Sequence, residues 1–412
     1  MKSMACSKMW TSIDVQPDRK QIKTCCHRNA QAMSVEDLRR MGASVFTSQP
    51  QDLADRAVFI DENRIPDACK ICKDAHPHSL WQTWNQWRDR DFSQAELEEL
   101  RTADLIEKFE IALTNKCNQT CMYCWPARSS EWAKLLGVEQ PEDEEWNRAF
   151  YDALFQYIRV HLSQRSTLVN YNLLGGEPLL NPQLYAFISS IIAAHAHDRF
   201  PDRPKEIEIT TNLNVKPASV DQLIEVIKST QGWTWRIKCS IDAVSPAGEI
   251  IRDGLSVSRF QDNLERLLGL DRVSIEILPS INVLSVSETA GLIRWTKDIV
   301  AKRGLVDGFG KIWQLGLNMV GDPPAMHPGN LSDDYKQCMD ECLAEISDLP
   351  DSWNKRKMSE HLTNIRALIG TKRTDRDQEI MRDWFTKQGR IKRKDYWALF
   401  PMLENLCGPR PD

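Results

Sequence analysis

No stretch of this 412-residue chain stays apolar long enough to cross a bilayer. Its opening, MKSMACSKMW, has no apolar core of the kind a secretory signal needs. Basic charge is not in excess either. The 53 Lys and Arg are outnumbered by 58 Asp and Glu, and a net charge of −5 gives no electrostatic reason to expect a nucleic-acid partner. Internal repeats and low-complexity segments are also lacking. These absences leave a globular chain, expected in the cytoplasm and away from membranes, with enough length for a sizeable core. Its 42% hydrophobic and 27% charged content is ordinary for that class.

Cysteine, by contrast, is plentiful. The twelve cysteines fall at 6, 25, 26, 69, 72, 117, 121, 124, 239, 338, 342 and 407. In a reducing compartment such thiols bind metals or do chemistry, and their clustering favours metal sites.

From Phe109 onward, short apolar runs alternate with longer amphipathic ones. The runs 109–114, 169–174, 206–211, 236–241, 275–284 and 311–317 predict strands. Segments near 143–163, 182–195, 217–230, 258–270 and 287–303 predict helices between them. Strands spaced by helices imply parallel βαβ units, so the fold class is α/β. Six such units fit either an open doubly wound sheet or a partial barrel, and both place their sites at the carboxyl ends of strands. Three parts follow: a cysteine-rich module over 1–104, a central β/α core over 105–320 and a helical extension over 321–412.

The first core strand runs into TNKCNQTCMYCWPARSS, where Cys117, Cys121 and Cys124 have C-x₃-C-x₂-C spacing. Three thiolates can hold three irons of a cubane cluster and leave the fourth open, or they can form part of a zinc site completed from elsewhere. The later strands end in LLGGEP (173–178), TTNLN (210–214) and CSIDA (239–243), followed by IIRDG (250–254); Asn282 lies in SINVLS. Alone, each polar residue here suits a turn or cap. Their placement at successive strand ends resembles the radical SAM superfamily, over roughly residues 105–320.

That resemblance implies a partial (β/α)6 barrel, a [4Fe-4S] cluster on Cys117, Cys121 and Cys124, and S-adenosylmethionine on the open iron. It implies that Gly175, Gly176 and Glu177 meet the methionine amine, and that Thr210, Thr211 and Asn212 meet ribose or carboxylate. Ser240 and Asp242 share that rim. Arg252 pairs with the methionine carboxylate, a task suited to a guanidinium fork, and Tyr123 packs beside adenine. The cofactor carries the difficult chemistry, so no separate catalytic side chain is assigned. An electron donor such as flavodoxin or ferredoxin is implied as a partner.

The run from Cys6 to Cys26, with Cys25 beside it, and the later pair Cys69 and Cys72 could build a second metal site. The pattern resembles the SPASM and twitch extensions of radical SAM enzymes, which hold auxiliary iron–sulfur clusters. Here the module precedes the core, and Lys20 stands where that pattern has glycine in the turn. An auxiliary iron–sulfur cluster, structural zinc and free thiols remain three readings of these cysteines. Trp81, Trp84 and Trp87 form a narrow aromatic stripe suited to packing, with His76 and His78 nearby. Cys338 and Cys342 would share one helix face, as packing residues or added ligands. Cys239 reads as a buried strand residue or a hydrogen donor to a substrate radical.

By family analogy the expected enzyme oxidises or cross-links a peptide or protein. The alternatives are a radical SAM epimerase, a small-molecule dehydrogenase, an activase of a glycyl-radical partner, and a zinc-stabilised scaffold with a decayed core.

Overall fold

The computed structural model describes residues 5–25, 28, 30–69, 86–87, 90–139, 143–270, 272–302 and 313–410. Packing divides the chain into two compact units. The first comprises residues 1–115, 141–209 and 230–234, and the second residues 116–140, 210–229 and 235–412.

The first unit is built on strands β1 (Ser12–Gln16), β2 (Gln21–Lys23), β3 (Lys108–Thr114), β4 (Val169–Gly175) and most of β5 (Lys205–Thr211). They lie in the order β2-β1-β3-β4-β5. The β1–β2 pair is antiparallel, whereas β1–β3, β3–β4 and β4–β5 are parallel. A parallel pair needs a crossover, and the helices Glu144–Val160 and Leu184–Ala194 supply two of them. The first buries Trp146, Phe150, Leu154, Tyr157 and Ile158 along one stripe, which is what its periodicity predicts. Asp143 caps its start by accepting from Trp146 N–H at 2.9 Å. Phe109 of β3 stacks on Tyr171 of β4 at 5.3 Å, so both strands contribute rings to one core.

The N-terminal segment is therefore not separate from the sheet of this unit. Val15 of β1 lies in register with Ile111 of β3. Hydrophobic patterning before residue 105 was obscured by cysteines and charges, and neither β1 nor β2 is among the expected strands. Trp10 donates to the Leu100 carbonyl at 2.6 Å and lies 5.4 Å from Trp87, so Trp87 does pack as the stripe predicts. Trp81, Trp84, His76 and His78 lie outside the described residues.

In the second unit, β6 (Thr234–Cys239), β7 (Val273–Ile277) and β9 (Trp313–Leu315) run parallel. The short pair β8 (Ser280–Ile281) and β10 (Asn318–Met319) is also parallel. The helices Pro217–Ser229, Val257–Leu267 and Thr289–Lys302 accompany these strands. Beyond them come the helices Lys336–Ile346, Trp353–Leu368 and Asp375–Lys392, which make the C-terminal segment helical as expected. The mostly parallel α/β architecture predicted by the strand–helix alternation is thus present, with strand boundaries within about two residues of those predicted, except that the run 275–284 divides into Val273–Ile277 and the separate Ser280–Ile281. No helix among the described residues is long and apolar enough to cross a membrane.

Candidate radical SAM site

The three-cysteine loop of the second unit is fixed by backbone bonds rather than by regular structure. Thr120 N–H donates to the Asp253 carbonyl at 2.7 Å and Met122 N–H to the Ile251 carbonyl at 2.9 Å. Trp132 Nε1 donates to the Cys121 carbonyl at 2.9 Å, and Ser129 Oγ to the Gln119 carbonyl at 2.6 Å. Cys117 N–H donates to Ser130 Oγ at 3.1 Å. Both serines open the helix Ser130–Leu136, whose start thereby anchors the loop. Gly254 adds a steric requirement. At φ +99° its backbone passes so close that a Cβ would sit 2.6 Å from the Asn118 carbonyl oxygen.

Arg252 and Asp242 form the charged part of the site. Arg252 Nη2 donates to Asp242 Oδ1 at 2.9 Å, and both side chains are buried. Tyr123 Oη donates to Asp242 Oδ2 at 2.6 Å, while the guanidinium lies 5.6 Å from the Tyr123 ring centre. Ser280 N–H gives Asp242 a further bond at 2.9 Å. Burial opposes the Arg252 charge, but Asp242 and Tyr123 outweigh it and raise the pKa. Burial also pushes the Tyr123 hydroxyl well up, against the pull of Arg252, so Tyr123 stays a neutral donor.

The expected nucleoside contacts serve as loop supports in this arrangement. Leu213 N–H donates to Thr211 Oγ1 at 3.0 Å, and Asn214 N–H to Asn212 Oδ1 at 2.8 Å. Asn212 Nδ2 reaches Asn118 Oδ1 at 2.9 Å, which ties the turn after β5 to the cysteine loop. Ser240 N–H donates to the Thr211 carbonyl at 2.8 Å, keeping the ends of β5 and β6 together. Asn282 is fully buried and accepts from Leu284 N–H at 3.0 Å, a turn-forming role.

In the first unit, the GGEP turn folds against the end of β3. Gly176 N–H donates to the Thr114 carbonyl at 2.7 Å. Gly175 has φ +136° and packs directly on that carbonyl, leaving no room for a Cβ. Glu177 is fully buried and accepts from Leu179 N–H at 3.1 Å.

The donor chemistry of Cys117, Cys121 and Cys124 suits a cluster. None is in a disulfide; Cys121 is buried and the other two are half-buried. The thiols are near enough that Cys117 and Cys124 raise the Cys121 pKa beyond the larger effect of burial. Burial raises Cys124 as well, while Arg128, Arg252 and Lys392 pull it down. As placed, no three His, Cys, Asp or Glu among the described residues are drawn together at metal-holding spacing. Assembly on the loop therefore requires the thiols to lose their protons and converge, as metal binding does elsewhere. Two buried polar atoms lack partners there: Arg252 Nε, suited to a carboxylate, and Gln119 Nε2. The Cys121 thiol donates to Gln119 Oε1 at 3.5 Å, so a thiolate at Cys121 would require that amide to turn and offer its N–H.

Two acting groups were not foreseen from sequence. Lys392, at the end of the helix Asp375–Lys392, donates to the Thr120 carbonyl and lies 4.6 Å from the Trp132 ring centre. Burial pushes its ammonium down to about 8, against the pull of Asp253. Asp253 is the other, accepting from Lys394 Nζ at 2.7 Å. Its position directly after Arg252 in IIRDG was the only available signal.

The cysteines outside the loop behave differently. Cys6 and Cys69 both pack on the apolar cluster of Ala5, Met9, Trp10, Phe59, Ile60 and Leu100. Cys25 is half-buried, and Cys26 and Cys72 lie outside the described residues. Cys239 is buried in β6, with its thiol directed to the Ile237 carbonyl at 3.8 Å. Cys338 and Cys342 share the helix Lys336–Ile346, where burial pushes Cys342 up to about 12.

Residues 111–279 match the family model described as the Radical SAM superfamily. That family implies a [4Fe-4S] cluster and S-adenosylmethionine as cofactors. Among curated proteins, the chain is 30% identical over 115 residues to the GTP 3',8-cyclase of Nautilia profundicola, covering 26% of this chain and 30% of that protein. It is 24% identical over 207 residues to the GTP 3',8-cyclase of Sulfurimonas denitrificans, covering 50% of this chain and 55% of the other. The chain thus spans at most about half the length of these relatives. Among solved structures, native anSMEcpe with bound AdoMet is 16% identical, with a TM-score of 0.37, covering 57% of this chain and 58% of that one.

Proposed function

We propose that this protein is a radical SAM enzyme in which Cys117, Cys121 and Cys124 hold the [4Fe-4S] cluster. When bound, the cluster and S-adenosylmethionine together supply a radical able to take hydrogen from an unactivated C–H bond. The observation carrying this reading is the knot of the cysteine loop with residues 251–254. Backbone bonds join Thr120 and Met122 to Asp253 and Ile251, and Arg252 between them keeps a buried, unpartnered Nε. Arg252 would receive the methionine carboxylate there, with Asp242 holding the guanidinium and Tyr123 closing one side. Thr211, Asn212 and Ser240 would keep the surrounding turns in place.

Anaerobic reconstitution tests this assignment. The wild type should gain about four irons on this loop and cleave S-adenosylmethionine when given reductant, with Cys121→Ala doing neither. Undiminished cleavage by Cys121→Ala would sink it.

For the substrate, the proposal is oxidation or cross-linking of a peptide or protein, supported by the resemblance of the N-terminal cysteines to an auxiliary-cluster module. Cys6 and Cys69 packing on one apolar cluster supports a shared site there, with Cys25, Cys26 and Cys72 as the remaining candidate ligands. A second reading, a nucleotide substrate, is favoured by the curated relatives, whose names specify GTP cyclisation. Deuterium transfer into 5′-deoxyadenosine from a labelled peptide pool or from labelled GTP separates the two.

A further inference from the structure

A buried ammonium lies against the cysteine loop although nothing in the C-x₃-C-x₂-C pattern calls for one. The Lys392 side chain is 1% exposed, and it reaches the loop from 272 positions along the chain. Its Nζ donates to the Thr120 carbonyl, directly before Cys121, and lies over the Trp132 ring at 4.6 Å. Trp132 in turn donates to the Cys121 carbonyl at 2.9 Å. The nearest carboxylate, Asp253, is 3.8 Å away and is shared with Lys394 at 2.7 Å. The aspartate is thus divided between two cations, and the loop side of Lys392 keeps a net positive field.

A buried cation is expensive to maintain unless something negative repays it. Three thiolates and a cluster that gains an electron form such a negative group. In a water-poor site the attraction is much stronger than it would be at the surface. Hydrogen bonding and burial around cluster sulfurs are recognised levers on reduction potential, and a fixed charge acts through the same electrostatics.

We propose that Lys392 is a positioning residue that raises the reduction potential of the cluster, with Asp253 setting how much of its charge the cluster feels. This rests on Cys117, Cys121 and Cys124 holding that cluster. The step concerned is transfer of one electron from a low-potential flavin or iron–sulfur donor, with no proton or bond changing hands. Favouring the reduced cluster matters because the donor must otherwise work further uphill.

Potentiometric titration of the reconstituted full chain, read by electron paramagnetic resonance, tests the proposal without using activity. Lys392→Gln can keep the bond to the Thr120 carbonyl while losing the charge. Its reduced-to-oxidised ratio should fall about tenfold at a fixed potential, equivalent to about 59 mV for one electron. Lys392→Arg should restore the ratio to within about threefold of wild type, as expected if charge is what matters. Asp253→Asn should move the ratio the opposite way, because the lysine is then less compensated.

An unchanged ratio in a fully loaded Lys392→Gln protein overturns the proposal. So does a shift of the same sign in both neutral variants. If Lys392→Gln does not fold, Lys392→Met, which keeps the apolar stem and loses the charge, takes its place with the same expected fall, and an unchanged ratio there overturns the proposal. A wild type that takes up no iron overturns the cluster assignment itself, an outcome visible before any potential is measured.

Discussion

Two cysteine-bearing regions of this molecule differ in what surrounds their sulfurs. The Cys117–Cys124 loop is pinned by backbone bonds to residues 251–254, with Arg252 and Lys392 bringing buried positive charge to it. Cys6 and Cys69 instead rest against Trp10, Phe59 and other apolar side chains, in a region held by packing. Positive charge suits thiolates, whereas an apolar wall favours the neutral thiol until a metal displaces its proton. Similar numbers of cysteines therefore support different expectations: a site prepared for an anionic cluster, and one whose role depends on a metal forming it.

The largest effect should separate the regions outright. Alanine at Cys117, Cys121 or Cys124 should abolish S-adenosylmethionine cleavage and remove about four irons, measured after anaerobic reconstitution. Cys69→Ala should keep that cleavage, uncoupled, while substrate turnover is lost. If cleavage also fails in Cys69→Ala with its loop cluster intact, the contrast between the regions collapses.

A smaller effect is expected at Arg252. Arg252→Lys keeps a positive charge near Asp242 but loses the fork, and should weaken S-adenosylmethionine binding by about 10–100-fold in calorimetry at unchanged iron content. Loss of iron in parallel would reassign Arg252 to holding the loop.

The two units can also be compared through their buried histidines. In the first, burial holds His195 down to about 4 from 6.5, while Asp198 pulls it upward and Arg203 downward; Tyr171 Oη lies 2.7 Å from Nε2. In the second, burial and then Lys372 hold His327 down to about 4. A depressed histidine is neutral when folded, and the unfolded chain takes up its proton first. The stabilisation is therefore complete above about pH 6.5 and lost as pH falls toward 4. Each histidine corresponds to about 3 kcal/mol across that window. Urea unfolding at pH 7 and pH 5 should show the loss, with His195→Gln reducing its pH dependence. Equal slopes in variant and wild type would remove His195 from the account.

The smallest effect belongs to the apolar region. Trp87→Ala removes contacts with Trp10 and Phe92, each 5.4 Å between ring centres, and should cost about 1–2 kcal/mol in unfolding. Iron on the Cys117–Cys124 loop should not change.

Much of the core architecture could be read before any coordinates. The strands from Phe109 onward and the helices between them follow from periodicity, and packing in each unit respects that pattern. β1 and β2 were missed because Ser12–Gln16 is buried along its whole length and shows no alternation. A five-residue strand of mixed polarity cannot be distinguished from a loop without its partner, and Lys108–Thr114 lies far along the chain. At the site, Thr211, Asn212 and Asn282 were foreseen as polar residues at strand ends. Their bonds to neighbouring turns were not, because a side chain's partner depends on the loop conformation opposite it.

What the sequence determined by itself was local: thiol spacing in one loop, glycines where the backbone must pass close, and the alternation of strands and helices. These depend on neighbours a few residues away, so the order of residues suffices. Only the tertiary structure decided which charges reach the loop. Within KQGRIKRKDYW, Lys387, Arg390, Arg393 and Lys394 have the same cationic character as Lys392, and no pattern marks the one whose side chain is buried. That choice depends on where a helix ends against a loop 272 positions away, and burial of a charge is settled by the whole fold.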